Sequence, residues 1–227
     1  MRRALLAILL LGLLLLTVPR ARGAPAISRV PTYERLAALT FDDGPQNPYT
    51  SQILALLVHA HAQGTFFVLG DKVAKDPGAL LAEARDGMEI ALHGMTHLNL
   101  YRVGAAAMTS DAVRELVYLH TFVPKARIIA FRPPYGYQSP ALKRSLFAAH
   151  LELVLWDVDT RDWTRPGVSS IVSTVERLTR PGSIILFHDG GGNRSQTVLA
   201  LRDLLPWFHA HHYRLVTISA LLRQLGR

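Results

Sequence analysis

No cysteine occurs among the 227 residues. That absence excludes a disulfide framework and a lipid-anchored lipoprotein, so stability must come from an apolar core. It also means that any metal site must be built from His, Asp and Glu. Equally missing is a sustained basic stretch with interleaved aromatics. The formal charge of +8 therefore gives no support for nucleic-acid binding. No internal repeat and no low-complexity linker divides the chain, so one domain is the simplest organisation. What the chain does have is apolar material, 49% of its residues. That is enough to bury a core and sets the chain apart from disordered sequences.

Part of that material sits in a segment of its own. Met1-Arg2-Arg3 is followed by an uncharged apolar run from Ala4 to Val18, then by Arg20, Ala21, Arg22 and Gly23. This is the pattern of a secretory signal peptide over residues 1–23, cut after Gly23, and it predicts an exported protein in the periplasm, the cell wall or the medium. The run is shorter than the roughly 20 residues of a membrane span, and a retained N-terminal anchor is the alternative. The segment carries four arginines and no acid, so its removal lowers the formal charge from +8 to +4. A mild positive charge suits an anionic cell wall. Residues 24–35 read as a short lead, and 36–227 as the folded domain. No obligate protein partner is evident.

Beyond the lead, short apolar runs alternate with helical periodicity. Strands are expected over 36–41, 65–69, 89–92, 128–132, 151–157, 183–188 and 214–218. Most are continuous apolar runs, as in strands buried on both faces. Helices are expected over 49–61, 77–85, 108–119, 140–149, 168–178 and 197–209. Asp76 before Pro77 and Ser139 before Pro140 are helix-start signals. Pro206 is expected to kink or break the last helix. Strands alternating with helices predict an α/β fold, a parallel sheet or barrel of about seven strands.

The polar residues gain meaning on that frame. Asp42-Asp43-Gly44-Pro45 follows the first strand. Alone, it is ordinary turn chemistry. But His93 follows the third strand, Arg132 ends the fourth, Asp157, Asp159 and Asp162 follow the fifth, and His188-Asp189 ends the sixth. In parallel α/β folds the C-terminal rim of the sheet is where sites are built, and a turn does not explain such clustering. His93 and His97 are spaced i, i+4, so one helical turn would place both rings on one face. With a carboxylate from the first strand end they form a three-ligand set. Such a set leaves a coordination position open for water, unlike a closed structural site. Two adjacent aspartates beside a dication can divide the labour, one binding the ion and the other taking a proton. The cation offsets their repulsion. The histidines at 209, 211 and 212 read instead as a solvated helix end.

Five ordered blocks, TFDDGP (40–45), HGMTH (93–97), FRPPYG (131–136), DTRDW (159–163) and ILFHDGGGNRSQT (185–197), resemble the polysaccharide deacetylases of carbohydrate esterase family 4, the NodB-homology domain. The resemblance runs from about Leu36 to Leu222. It implies an irregular (β/α) barrel with fewer than eight strands. It implies Asp42 as general base, Asp43, His93 and His97 as ligands of one divalent ion, zinc or another such as cobalt, and Arg132 as the partner of the base. It further implies the Tyr135 N–H as an oxyanion donor, Asp162 as the aspartate that tunes a catalytic histidine, and His188 as general acid. Trp163 and Leu186 would wall the acetyl methyl, and Asp159 matches the first aspartate of its block. The implied reaction is hydrolysis of N-acetyl groups on an N-acetylglucosamine-containing polysaccharide such as peptidoglycan, a chitin-like polymer or an exopolysaccharide, releasing acetate. An acetylxylan-type O-deacetylase would use the same site. A non-catalytic glycan-binding relative would be expected to have lost Asp42, His188 or a ligand. One departure stands out. Gly94 occupies a position where the family usually has Ser or Thr, whose hydroxyl pins the metal loop.

Overall fold

The computed structural model describes residues 24–226, so the segment read as a signal peptide lies outside the described residues. The run LAALTFD forms strand β1, Leu36–Asp42, buried at every position. A strand that is apolar on both faces needs neighbours on both edges and cover on both sides. The chain then builds α1 (Tyr49–His59), β2 (Gly64–Val68), α2 (Gly70–Val73), α3 (Pro77–Arg85) and β3 (Glu89–Leu92). There follow α4 (Leu100–Leu119), β4 (Ala130–Phe131), α5 (Pro140–Ala148), β5 (Glu152–Leu153), β6 (Val158–Asp159) and α6 (Val168–Leu178). The chain ends with β7 (Ser183–His188), α7 (Ser195–Ala210), β8 (Arg214–Leu215) and α8 (Ile218–Leu222). Strand order is β5-β4-β3-β2-β1-β7-β6, with β8 pairing the start of β1 off that path. Every named strand pair is parallel. The seven-strand path is the curled α/β half-barrel expected from the sequence; β8 is an added two-residue pairing.

Two apolar runs read as single strands are shared out differently. The stretch 151–157 pairs with β4 only through Glu152 and Leu153. It then leaves that neighbour: Leu155 N–H donates to Ile27 O at 2.8 Å and Asp157 N–H to Ile184 O at 3.1 Å. From the next residue, Val158, β6 pairs with β7. One apolar run thus spans the seam between the two ends of the sheet. The final candidate strand stops at Leu215, because Thr217 caps α8 by accepting from Ala220 N–H at 3.2 Å.

The lead residues complete this seam. Ile27 N–H donates to Leu153 O at 2.9 Å and Val30 N–H to Gly182 O at 3.0 Å. Both side chains are buried. A chain starting at residue 31 is therefore expected to lose about 3–6 kcal/mol of stability, from two aliphatic side chains at roughly 1.5–3 kcal/mol each. Urea unfolding of residues 24–227 against 31–227 measures this. An unchanged midpoint would mean that the lead merely lies on the surface.

The helix-start signals work as read. Asp76 accepts from Ala79 N–H at 3.1 Å and Ser139 from Leu142 N–H at 3.1 Å. Pro206 does not break α7, which runs through it from Ser195 to Ala210. Pro206 lies on the exposed side of the helix. Leu204, Leu205 and Phe208 anchor the opposite side in the core. The histidines at 209, 211 and 212 are exposed at its end. Helix α4 begins earlier than the periodicity suggested, capped by Asn99 and interrupted by non-helical Gly104. Among the described residues, no helix is long and apolar enough to cross a membrane.

Candidate active site

Parallel pairing sets the site's geometry. Asp42 ends β1 in register with His188 at the end of β7. Side chains from these neighbouring strand ends face one cavity of about 490 Å³. Asp42 is buried, and its Oδ1 accepts from Arg132 Nη1 at 2.7 Å. Arg132 is fully buried, and its remaining bonds go to Thr40 Oγ1 (2.8 Å), Leu155 O (3.0 Å) and, more weakly, Val154 O (3.4 Å). Its guanidinium lies 4.0 Å from the centre of the Phe67 ring. Burial draws the Arg132 pKa down while the charge and hydrogen bond of Asp42 push it back up. A buried cation with four of its N–H donors engaged is a fixed partner, so Asp42 is held in one orientation.

Asp43 follows immediately, at φ 75°. This left-handed turn is tolerated by Asp. It lets a second carboxylate reach the cavity instead of pointing to the opposite side, as strand alternation would require. The turn is packed so closely that a Cβ at Gly190 would lie 2.0 Å from Asp43 O, so only glycine fits there. Asp43 Oδ1 lies 3.4 Å from both His93 Nε2 and His97 Nε2. The three ligand atoms fall within 4.8 Å of one another.

This set fits a divalent cation on its own chemistry. Asp43 Oδ1 is buried without a hydrogen-bond partner. His93 Nδ1 bonds to Arg132 O at 2.7 Å, which turns Nε2 inward. Burial would raise the Asp43 carboxyl, but the adjacent His93 and the surrounding imidazoles carry it far below the usual range. Burial and the neighbouring His93 hold His97 below its ordinary value, favouring the neutral ring that a metal requires.

Across the cavity, His188 Nδ1 bonds to Asp162 Oδ1 at 2.7 Å. Asp162 Oδ2 accepts from His188 N–H at 2.8 Å and from Thr197 Oγ1 at 2.7 Å. Burial would lower the His188 pKa, but the hydrogen bond and charge of Asp162 outweigh it and raise it. Trp163, Leu186, Tyr135 and Asp159 all line the same cavity. Trp163 and Tyr135 are exposed at its rim, and Tyr135 adopts φ 62°.

Asp42, Asp43, His93, His97, Tyr135, Asp159, Trp163, Leu186 and His188 thus line one cavity, with Arg132 and Asp162 bonded behind Asp42 and His188. Asp157 does not join them: it sits at the other end of β7, accepting from Ile184 N–H at 2.9 Å. Sequence reasoning missed Trp156 and Arg194, which also line the cavity. Arg194 is buried and reaches only carbonyls: Gly190 O at 2.6 Å, Gly191 O at 2.9 Å, and Trp163 O and Asn193 O at 3.5 Å. It clips the glycine loop to the turn that carries Trp163. The run GGGNR was the signal, since a glycine loop needs something to hold it. Asp189, named at the end of the sixth strand, was given no role. Its Oδ2 accepts from Thr50 Oγ1 at 2.6 Å. Burial pushes its carboxyl up to about 7, with the Thr50 bond opposing and Asp43 assisting.

Residues 29–154 match the family described as polysaccharide deacetylase. The chain is 40% identical over 196 residues to a peptidoglycan-N-acetylglucosamine deacetylase of Bacillus cereus, spanning 86% of this chain and 91% of that protein. It is 36% identical over 204 residues to a chitooligosaccharide deacetylase of Sinorhizobium fredii, spanning 85% and 90%. A crystal structure of a peptidoglycan N-acetylglucosamine deacetylase superposes with a TM-score of 0.82 at 29% identity, covering 86% of this chain and 92% of that one. Sequence, fold and the ordered rim residues agree, and the chain belongs to the polysaccharide deacetylases of carbohydrate esterase family 4.

Proposed function

We propose that this chain is an exported, metal-dependent hydrolase that removes N-acetyl groups from N-acetylglucosamine units of a polysaccharide and releases acetate. Residues 1–23 would direct export, 24–35 would close the barrel seam, and 36–227 would carry the chemistry. The names of the relatives support an amino-sugar substrate, peptidoglycan or chitooligosaccharide. The observation that carries the reading is the arrangement of the cavity. Asp42 bonded to Arg132 and His188 bonded to Asp162 line the same space as the three-ligand set.

Asp43, His93 and His97 would hold the ion, for which zinc best suits the His and Asp donors, although cobalt or another divalent ion is compatible. When bound, it supplies Lewis-acid polarisation of the acetyl carbonyl and a lower pKa for water. Asp42, oriented by Arg132, accepts the proton of the attacking water as the C–O bond forms. The Tyr135 backbone N–H donates to the developing oxyanion. Trp163 and Leu186 enclose the acetyl methyl. His188 delivers a proton to the leaving nitrogen as the C–N bond breaks. Asp162 holds Nδ1, so the transferable proton sits on Nε2. The products are acetate and a free amine.

Acetate release by residues 24–227 on chitooligosaccharides, peptidoglycan and acetylxylan, with added zinc or with a chelator, tests this. Release from an amino-sugar polymer, abolished by the chelator and restored by zinc, is expected. Release from acetylxylan alone would reassign the same site to an O-deacetylase. No release from any polymer by zinc-loaded protein would overturn the reading.

A further inference from the structure

The family's hydroxyl after the first metal histidine is absent here, yet the loop it would pin is held. Gly94 N–H donates to Glu115 Oε2 at 2.6 Å and Met95 N–H to Asp111 Oδ2 at 2.9 Å. Both carboxylates come from α4 and are buried. They are spaced i, i+4, so they present to one face of the helix. The carbonyls of the same two residues are also taken. Gly70 N–H donates to Gly94 O at 3.1 Å and Asp71 N–H to Met95 O at 2.8 Å, at the start of α2.

The two histidines depend on this loop unequally. A metal-binding imidazole usually gives its second nitrogen to a carboxylate or carbonyl, which fixes the ring. His93 does so, through Arg132 O. Among the described residues, nothing does so for His97. Its ring meets Asp43 on the cavity side and the edge of Tyr135 at 4.5 Å between centroids. The direction of His97 is then set by the backbone that carries it, and that backbone is fixed at Gly94 and Met95.

We propose that Asp111 and Glu115 are positioning residues for the metal, gripping the 94–95 peptides so that His97 is presented to the ion, in place of the missing hydroxyl. This rests on the metal-dependent reading above. It has a counterintuitive corollary at Gly94. That residue has φ 103°, and a Cβ there would lie 2.8 Å from Asp111 Oδ2 and 3.0 Å from Thr96 O. Restoring the family's serine therefore displaces the grip instead of reinforcing it.

The test is zinc affinity of metal-free protein, residues 24–227, by competition with a chromophoric chelator, with thermal unfolding measured in parallel. Asp111→Ala and Glu115→Ala are expected to weaken zinc binding by about 10–100-fold. Glu115→Gln keeps an oxygen that accepts the Gly94 N–H and is expected to stay near wild type. Gly94→Ser is expected to bind zinc more weakly than wild type. Should Glu115→Ala fail to fold, Asp111→Ala and Gly94→Ser decide the matter. Unchanged zinc affinity in the alanine variants, with only the melting temperature reduced, overturns the proposal and leaves a structural role. A tighter Gly94→Ser protein overturns it as well. If wild type itself binds no zinc, the metal reading fails first and takes this proposal with it.

Discussion

Asp42→Asn is expected to lower kcat/KM for deacetylation by about 10²–10⁴-fold, the range for removing a general base. The substitution keeps an oxygen in reach of Arg132, so the geometry is nearly preserved while the basicity is lost. It leaves Asp43, His93 and His97 in place, and zinc should still bind. One cost is predictable. Arg132 is fully buried, and Asp42 is its only carboxylate partner among the described residues. Leaving a buried charge unpaired costs about 3–5 kcal/mol, so the variant should also unfold at lower temperature or denaturant. Activity must therefore be measured well below the new midpoint and with bound zinc verified. A zinc-loaded, folded Asp42→Asn protein retaining activity within a few fold would remove Asp42 from the role of base.

How much of this was legible before the structure depends on the kind of signal. Rim residues were legible because a parallel strand buried on both faces is an unbroken apolar run, and the polar residue that ends it is conspicuous. Asp42, His93, Arg132 and His188 each stand at such a boundary. What stayed hidden has long-range causes. The sharing of 151–159 between two strands depends on Ile27, more than a hundred residues earlier, which periodicity does not register. That Pro206 does not break α7 was not legible, because the burial of Leu204, Leu205 and Phe208 on the opposite side is a matter of tertiary packing. Asp111 and Glu115 drew no notice within the helix expected over 108–119, since nothing local tells that α4 packs them under the loop that carries His93 and His97. Gly94 was legible as a departure from the family but not as a solution. Its left-handed φ and the approach of Asp111 are facts of packing.

The second large effect should fall on His188, and it should depend on the leaving group. An amine cannot depart from the tetrahedral intermediate as its anion, so amide cleavage needs a proton delivered to nitrogen. A nitrophenolate departs without one. His188→Ala is accordingly expected to lose about 10²–10⁴-fold on an N-acetyl substrate but less than about tenfold on 4-nitrophenyl acetate. Equal losses on both would mean that His188 serves binding or folding, not proton delivery. The pH profile supplies an independent reading. Although burial works against the charged ring, Asp162 raises the His188 pKa above its ordinary value. The protonated, donating form therefore persists to higher pH, and kcat/KM should fall only as pH rises through that raised value. Asp162→Asn removes the charge that raises the pKa but leaves the burial that lowers it. The alkaline limb must then move to lower pH, and a limb left where wild type has it would assign that limb to a different group. The two measurements separate the roles, since the leaving-group contrast reports what His188 donates and the shifted limb reports what keeps it able to donate.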